Sequence, residues 1–298
     1  MPAIFALILP DFLIIALGAL LLRRFRFSPE FFQGAEKLVY YVLFPALLFH
    51  SITRTPLSLS EAWTLLLAAA ALIAAGTALA WMALPILKPD LRRHASVTQC
   101  AFRFNTYLGM SLASAIAGPS GVTVMALLVG FSVPMANMVA VTVLARGQQG
   151  RIWIELLKNP LILATLLALA WNLLGLPLSG PIEVALSRLG ACALGIGLLC
   201  VGATLSVQGA RQAGPLIAWM AAIKLMALPL VALLAGWLLQ MSAIERQILL
   251  VFAALPTASS AHVLAARMGG DSRLVALTMS IGTILAGFTI PFWLAVAG

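Results

Sequence analysis

The chain contains very little charge. Only 9% of its 298 residues are Asp, Glu, Lys or Arg, whereas soluble globular domains carry about 25%. In contrast, 62% of the residues are hydrophobic, and the mean hydropathy is +1.07. So few charged side chains cannot cover a water-soluble surface. The composition therefore excludes a soluble globular protein and indicates a chain that crosses a membrane several times.

Residues that commonly carry catalysis or bind metals are also scarce. The three cysteines, Cys100, Cys192 and Cys200, lie in apolar stretches without metal-ligand spacing, which is typical of small buried side chains. The chain has no nucleotide-binding loop, hydrolytic triad, paired catalytic carboxylates or histidine-rich motif. We therefore predict a protein that is not an enzyme, binds no cofactor or metal and does not hydrolyse ATP.

Long apolar runs are what the chain has instead. A helix needs about 20 apolar residues to cross the hydrocarbon core, and a run such as residues 65–84 does not alternate as the strands of a membrane β-barrel do. No basic segment precedes the first run, so we expect no removed signal peptide. We predict an all-α membrane protein with ten transmembrane helices near residues 3–22, 36–53, 62–87, 95–117, 121–145, 159–176, 183–206, 213–239, 246–267 and 273–296.

Positive charges are distributed unevenly between the predicted loops. Of the 18 basic residues, 13 fall in the odd-numbered loops and three in the even-numbered loops. The positive-inside rule then places the odd loops in the cytoplasm. We expect a multi-pass protein of the inner (plasma) membrane with both termini periplasmic or extracellular. Because topology and anionic lipid explain the net charge of +9, no nucleic acid partner is expected.

Two predicted spans are interrupted by polar residues at corresponding places. Residues 103–106 (Arg-Phe-Asn-Thr) interrupt the fourth span, and residues 256–260 (Pro-Thr-Ala-Ser-Ser) interrupt the ninth. Prolines also recur late in the fifth and tenth spans, at Pro134 and Pro291. Irregular backbone at membrane depth is tolerated only where protein or a watery cavity satisfies it. We therefore predict two inverted five-helix repeats, residues 1–150 and 151–298, whose broken helices cross at a substrate site.

Four stretches of the sequence resemble the auxin efflux carrier (AEC) family, which includes the plant PIN proteins and many bacterial members. They are residues 43–52 (LFPALLFHSI), 102–109 (FRFNTYLG), 133–138 (VPMANM) and 254–271 (ALPTASSAHVLAARMGGD). Their order and spacing match the family over essentially the whole chain. The chain is therefore identified as similar to a bacterial-type member of this family.

The resemblance implies a fold of the kind found in PIN proteins, bile-acid transporters and sodium–proton antiporters. In such a fold, helices 1, 2, 6 and 7 form a scaffold, helices 3–5 and 8–10 form a transport domain that moves like an elevator, and the substrate site lies where helices 4 and 9 cross. A homodimer assembled through the scaffold is also implied. The chain departs from the plant proteins in having Phe104 where they have a proline, and only a short loop joins its halves. Because of these differences, the resemblance does not imply that this chain transports auxin or is regulated by loop phosphorylation as the plant proteins are.

The candidate substrate-binding residues lie at or near the two interruptions. A guanidinium suits a carboxylate, and Pro256 frees backbone groups beside three hydroxyl side chains. The alternatives are an Arg103 that snorkels toward the cytoplasmic surface, a simple proline kink, and a helix–helix hydrogen bond from Asn137. A neutral, hydrogen-bonded role suits His262 better than proton uptake. The candidates are Arg103, Asn105, Asn137, Pro256, Thr257, Ser259, Ser260 and His262.

Helix crossing and ion coupling have separate candidates. We expect Gly109, Pro134 and Pro256 to act as hinge or crossover residues. Lys224 is central in the eighth span and Asp11 is midway along the first, where ionisable side chains are expensive and usually functional. We predict that these two residues are involved in coupling, through a state-dependent contact or independently, because a permanent pair between scaffold and moving domain would oppose motion.

These observations predict a secondary active or potential-driven transporter of small organic anions that works by alternating access. The expected substrates are carboxylates, including dicarboxylates such as malate or malonate, or auxin-like weak acids. The expected partners are the lipid bilayer, a second copy of the chain and a proton as the candidate coupling ion. The alternative is a membrane-embedded anion sensor that signals through a partner protein. The short cytoplasmic loops favour the transporter.

Overall fold

The computed structural model describes residues 2–54, 59–144, 160–205, 214–258 and 260–297, and every regular element in these ranges is helical. The first half contains α1 (Pro2–Arg23), α2 (Pro29–Leu38), α3 (Phe44–Arg54), α4 (Leu59–Trp81), α5 (Ala83–Leu87), α6 (Leu91–Thr98) and α7 (Thr106–Leu144). The second half contains α8 (Pro160–Leu173), α9 (Gly180–Thr204), α10 (Gly214–Ala222), α11 (Leu228–Leu238), α12 (Ala243–Ala254), α13 (Ser260–Arg267) and α14 (Ser272–Ala297). Two π-helical turns join α2 to α3 and α10 to α11, and a 3-10 turn follows α6; they are Val39–Leu43, Ile223–Ala227 and Gln99–Ala101.

Six helical stretches in these ranges are long and apolar enough to cross a membrane. They are Pro29–Arg54, Ala62–Leu87, Leu91–Leu144, Gly180–Thr204, Gly214–Leu238 and Ser272–Val296. Large hydrophobic side chains such as Leu230 and Phe288 are more than half exposed (57% and 67%), as expected of helices that are apolar on all sides. The chain is therefore an all-α protein with several apolar spans, and the number of ten stays a prediction.

The second span begins earlier than its apolar pattern predicts. The Ser28 hydroxyl accepts a hydrogen bond from the Phe31 N–H (3.2 Å), and Pro29 is the first helical residue, a combination that stabilises a helix N-terminus. The predicted start near residue 36 is wrong, because the helix already begins at Pro29. The prediction located spans by their apolar composition, and α2 contains charged residues, so its first residues were not included in the span.

A sharp bend in α7 separates the predicted fourth and fifth spans. Ala117 and Gly118 leave the helical region, and Gly118 has a φ of +54°, which glycine adopts without strain. A Cβ on Gly121 would lie 2.5 Å from the carbonyl oxygen of Ala113, so the segments on either side of the bend lie close together. The predicted boundary between residues 117 and 121 falls at this bend.

The helices pack in two groups. In the first group, α1 packs on α9, while both α8 and α9 pack on α3. A Cβ on Gly18 would overlap the carbonyl oxygen of Leu199, and one on Gly202 would overlap that of Ile15; such small residues let membrane helices approach closely. In the second group, α7 packs on α4 and α12, and α12 packs on α11 and α14. Both helix interruptions lie in the second group.

Candidate functional site

The two interrupted helices contact each other at their breaks. The first break, residues 102–105, follows the 3-10 turn after α6, and the second, which includes residues 255–258, precedes α13. The Asn105 N–H donates to the carbonyl of Pro256 (2.7 Å), and the Thr257 hydroxyl donates to the carbonyl of Cys100 (2.8 Å). Each break thus satisfies a polar group of the other, as irregular backbone within a membrane requires.

The first break forms without a proline. The Asn105 side-chain oxygen accepts a hydrogen bond from the Leu108 N–H (3.2 Å) and so caps the start of α7. Phe104, which stands where the plant proteins have proline, packs against Phe252 of α12 with ring centroids 4.4 Å apart. A side-chain cap and an aromatic contact between the two broken helices therefore stabilise the first break.

Arg103 lies in the first break and is only 7% exposed. Its Nη1 donates to the Ser260 hydroxyl (3.1 Å), and its Nη2 donates to the Asn137 side-chain oxygen. The guanidinium therefore points at α13 and α7, which favours a role in the site over the snorkelling alternative. Arg103 takes part in neither the Arg54–Glu183 nor the Arg93–Asp271 ion pair, and no carboxylate among the described residues is its partner.

Two further donors at the first break are buried without a partner. Neither Arg103 Nε nor Asn105 Nδ2 makes a hydrogen bond with the part of the chain that the structure describes. Leaving a buried donor unpaired costs about 1–3 kcal/mol, so an acceptor from outside these residues would stabilise the break. Together with the uncompensated guanidinium, these donors suit an anion that has several oxygen atoms.

The predicted hinge residues occupy different positions relative to the breaks. Gly109 lies directly against the second break, since a Cβ on it would be 2.7 Å from Leu255 Cδ1. Pro256 supplies the carbonyl that accepts the Asn105 N–H. Pro134 lies inside α7, where the helical backbone angles continue. Two of the three candidates are therefore at the contact between the breaks, and Pro134 is in the helix that presents Asn137.

The remaining substrate-binding candidates are spread over the second break and α13. Thr257 is 4% exposed, whereas Ser260, which accepts from Arg103, is exposed. His262 is half-buried in α13, and Ser259 lies outside the described residues. The structure thus groups five candidates by direct hydrogen bonds: Arg103 with Asn137 and Ser260, and Asn105 with Pro256.

Lys224 caps the helix that ends at the second break. It lies in the π-helical turn Ile223–Ala227 and is 3% exposed, and its Nζ donates to the carbonyl of Ala253 (2.7 Å) in the last turn of α12. The last carbonyls of a helix lack intrahelical donors, and the negative end of the helix dipole lies there. Lys224 therefore satisfies a carbonyl that the break exposes.

Asp11 has a different partner. It is 5% exposed in α1, and it accepts a hydrogen bond from the Ser111 hydroxyl of α7 (2.6 Å). Asp11 and Lys224 form no ion pair with each other among the described residues. The Asp11–Ser111 bond instead joins the two packing groups, which is consistent with independent roles for Asp11 and Lys224.

Sequence reasoning missed the partners of the buried polar side chains. Lys224 and Thr257 bind the backbone carbonyls of Ala253 and Cys100, and a carbonyl has no sequence signature. Ser111 is a serine in an apolar helix with nothing in its neighbourhood to mark it. The usable signal was the second break itself, because any helix break leaves carbonyls free in the turn before it.

Comparison with known proteins identifies the family. The family model described as "Membrane transport protein" matches residues 3–294. The uncharacterized transporter YfdV of Escherichia coli (strain K12) is 25% identical over 307 residues, covering 97% of this chain and 96% of the relative. The proteins of the same name from Escherichia coli O157:H7 and Shigella flexneri match equally well. The chain therefore belongs to the membrane transport protein family, the auxin efflux carrier family of membrane transporters.

Proposed function

We propose that this protein transports small organic anions, with their carboxylate group bound at the contact between the two helix breaks. The observation that carries the proposal is Arg103, a buried guanidinium with no carboxylate partner among the described residues. Arg103 Nε and Asn105 Nδ2 add two buried donors without acceptors. A monocarboxylate or dicarboxylate, such as malonate, malate or indole-3-acetate, would supply the missing charge and acceptors.

The proposal includes the architecture that the family resemblance implies. Ten helices in two inverted repeats, residues 1–150 and 151–298, would form a scaffold of helices 1, 2, 6 and 7 and a transport domain of helices 3–5 and 8–10. The packing of α1, α3, α8 and α9 as one group, with both breaks in the other, supports this division. The transport domain would then move like an elevator in a homodimer of the inner membrane, with both chain termini outside.

Asp11 is the proposed site of proton coupling. Its carboxyl group and the Ser111 hydroxyl bridge the proposed scaffold and transport domain, so any sliding between these groups must break the bond. Proton binding at Asp11 would then depend on the conformational state. Lys224 would contribute by holding the end of α12 at the substrate site.

Flux measurements test the proposal directly. Proteoliposomes containing the wild-type chain or Arg103→Gln would be loaded and assayed with labelled malate, malonate and indole-3-acetate, with and without imposed pH and voltage gradients. We expect saturable wild-type flux of at least one anion. Loss of a buried charge-assisted contact should reduce that flux in Arg103→Gln about 100-fold, or about 2.7 kcal/mol.

Arg188→Gln is the matched control, because Arg188 is an exposed arginine of α9 away from the breaks. It should leave flux unchanged. Wild-type flux in Arg103→Gln would contradict the assignment of the site. Saturable anion binding without flux under any gradient would favour the sensor, which binds the same ligand but does not move it.

A cross-link tests the elevator motion. Asp11→Cys combined with Ser111→Cys places two thiols where the wild-type side chains are hydrogen-bonded. A short bifunctional reagent should join them and stop the flux that the double variant shows before treatment, whereas in each single variant the reagent should leave the flux at its value before treatment. Undiminished flux in the cross-linked double variant would show that these two helices do not slide past each other.

A further inference from the structure

A polar cavity whose lining includes no residue of the helix breaks lies at the start of α6 and α14. It has a volume of about 420 Å³ and is lined by Asp90, Arg92 and Arg93 and by residues 270–273. We call it the arginine cavity, because Arg92, Arg93 and Arg273 all line it. Neither the proposed substrate site nor the coupling residues are part of it.

Both carboxylates of the arginine cavity are occupied by helix capping. Asp90 Oδ1 accepts from the Arg93 N–H (3.0 Å) at the start of α6, and Asp271 Oδ1 accepts from the Leu274 N–H (3.0 Å) at the start of α14. They compensate the positive ends of two helix dipoles. The charge of the three arginines is therefore only partly offset within the cavity.

Two of the arginines are held in place through Nε. Arg92 Nε donates to the carbonyl of Gly269 (3.0 Å), and Arg93 Nε lies 3.7 Å from Asp271 Oδ2. Neither of these contacts uses the terminal nitrogens of the guanidinium groups. Arg273 is exposed and has no carboxylate partner there. Guanidinium groups arranged in this way suit the oxygens of a phosphate.

The loop beside the cavity is rigidly built. Gly269 has a φ of +71°, and the Gly270 N–H donates to the carbonyl of Ala265 (2.8 Å), as in a Schellman motif that ends a helix. The Asp271 N–H then donates to the Ser96 hydroxyl (2.8 Å). These hydrogen bonds hold the backbone that lines one side of the cavity.

We infer that the arginine cavity binds the phosphate of an anionic phospholipid headgroup. Two apolar stretches long enough to cross a membrane, Leu91–Leu144 and Ser272–Val296, begin at the cavity, so its position corresponds to the end of the hydrocarbon layer, where headgroups lie. Ile86 and Leu91, which are close in sequence to the lining residue Asp90, are 54% and 50% exposed. They offer an apolar surface for acyl chains, which favours a lipid over free phosphate. Basic pockets at this depth recognise anionic headgroups.

Native mass spectrometry of the purified full-length chain tests the inference. Phosphatidylglycerol, phosphatidylcholine and inorganic phosphate would each be added to the wild type, Arg273→Gln and the double variant Arg92→Gln/Arg273→Gln. We expect the wild type to retain phosphatidylglycerol in preference to the other two. Each arginine removed should weaken that binding about fivefold.

Arg188→Gln is again the control and should bind phosphatidylglycerol like the wild type. Arg273→Gln alone decides the outcome if the double variant fails to fold, because Arg273 has no carboxylate partner to lose among the described residues. Equal retention of phosphatidylglycerol in Arg273→Gln and wild type, or an equal loss in Arg188→Gln, would overturn the inference. Displacement of the lipid by inorganic phosphate at similar concentrations would overturn the lipid assignment.

Discussion

The two helix breaks form the same kind of structure with different chemistry. At the first break, the Asn105 side chain caps α7 and no proline is present. At the second, Pro256 interrupts the backbone, and Lys224 of a neighbouring segment caps the end of α12. The first break is therefore stabilised by a side chain of its own, whereas the second is stabilised by Lys224 of a separate helical segment.

The breaks also differ in whether their buried polar groups have hydrogen-bond partners among the described residues. Among the described residues, the buried donors without partners in this region, Arg103 Nε and Asn105 Nδ2, belong to the first break. At the second break, Thr257 and the carbonyls of Ala253 and Pro256 are all paired. Under the proposed function, the first break would offer these groups to a ligand, while the second would provide the surface against which the ligand is held.

Removing the cap at the second break should have the largest effect. Lys224→Met leaves the Ala253 carbonyl buried without a donor, and an unsatisfied buried polar group costs about 1–3 kcal/mol. We expect the free energy of local opening at the end of α12, measured by hydrogen–deuterium exchange, to fall by this amount. In Lys224→Gln, which retains a donor, the free energy of local opening should fall by less. Unchanged exchange in Lys224→Met would show that the cap does not stabilise the second break.

Removing the cap at the first break should have the next largest effect. Asn105→Ala deletes the oxygen that accepts from the Leu108 N–H, and losing an N-cap costs about 0.5–2 kcal/mol. Exchange should increase in the first turn of α7 and remain the same at the end of α12. Asn105→Asp keeps an acceptor, so the first turn of α7 should remain protected from exchange in this variant. If both breaks loosened together in Asn105→Ala, they would form one cooperative unit rather than two separately stabilised ones.

The hydroxyl contact between the breaks should contribute about 1 kcal/mol. Thr257→Val is nearly isosteric and removes the donor to the Cys100 carbonyl, which is one ordinary buried hydrogen bond. The midpoint of thermal unfolding in detergent should decrease slightly, and exchange should increase at the 3-10 turn before the first break. Thr257→Ser preserves the hydroxyl and serves as the control. A midpoint for Thr257→Val at or above that of the wild type would argue against this contact.

Pro256→Ala should have the smallest effect. Pro256 contacts the first break through its carbonyl, which alanine retains, and the main loss is the rigidity that proline gives the unfolded chain, below about 1 kcal/mol. We expect the pattern of exchange at residues 255–258 to remain that of a break. New protection throughout this segment would mean that the proline itself keeps the helix open, and the comparison between the breaks would then change.

Much of this architecture could be predicted from local sequence. Both break positions, the bend near Gly118 and the turn at Gly269-Gly270 depend on residues whose backbone preferences act within a few positions. The start of α2 was missed because its Ser28-Pro29 signal precedes a segment with several charged residues. The partners of Lys224 and Asp11 could not be predicted, since they come from distant segments and one of them is a backbone carbonyl.

The sequence by itself determined that this is an apolar helical membrane protein with two interrupted helices, because composition and local backbone preference set hydropathy and helix ends. Only the tertiary structure decided which polar groups meet. It paired Asn105 with Pro256 and Lys224 with Ala253, and it left Arg103 buried without a carboxylate among the described residues. The physical reason is that burial and hydrogen bonding between distant segments depend on how the helices pack, and packing brings together residues that the sequence separates by more than 100 positions.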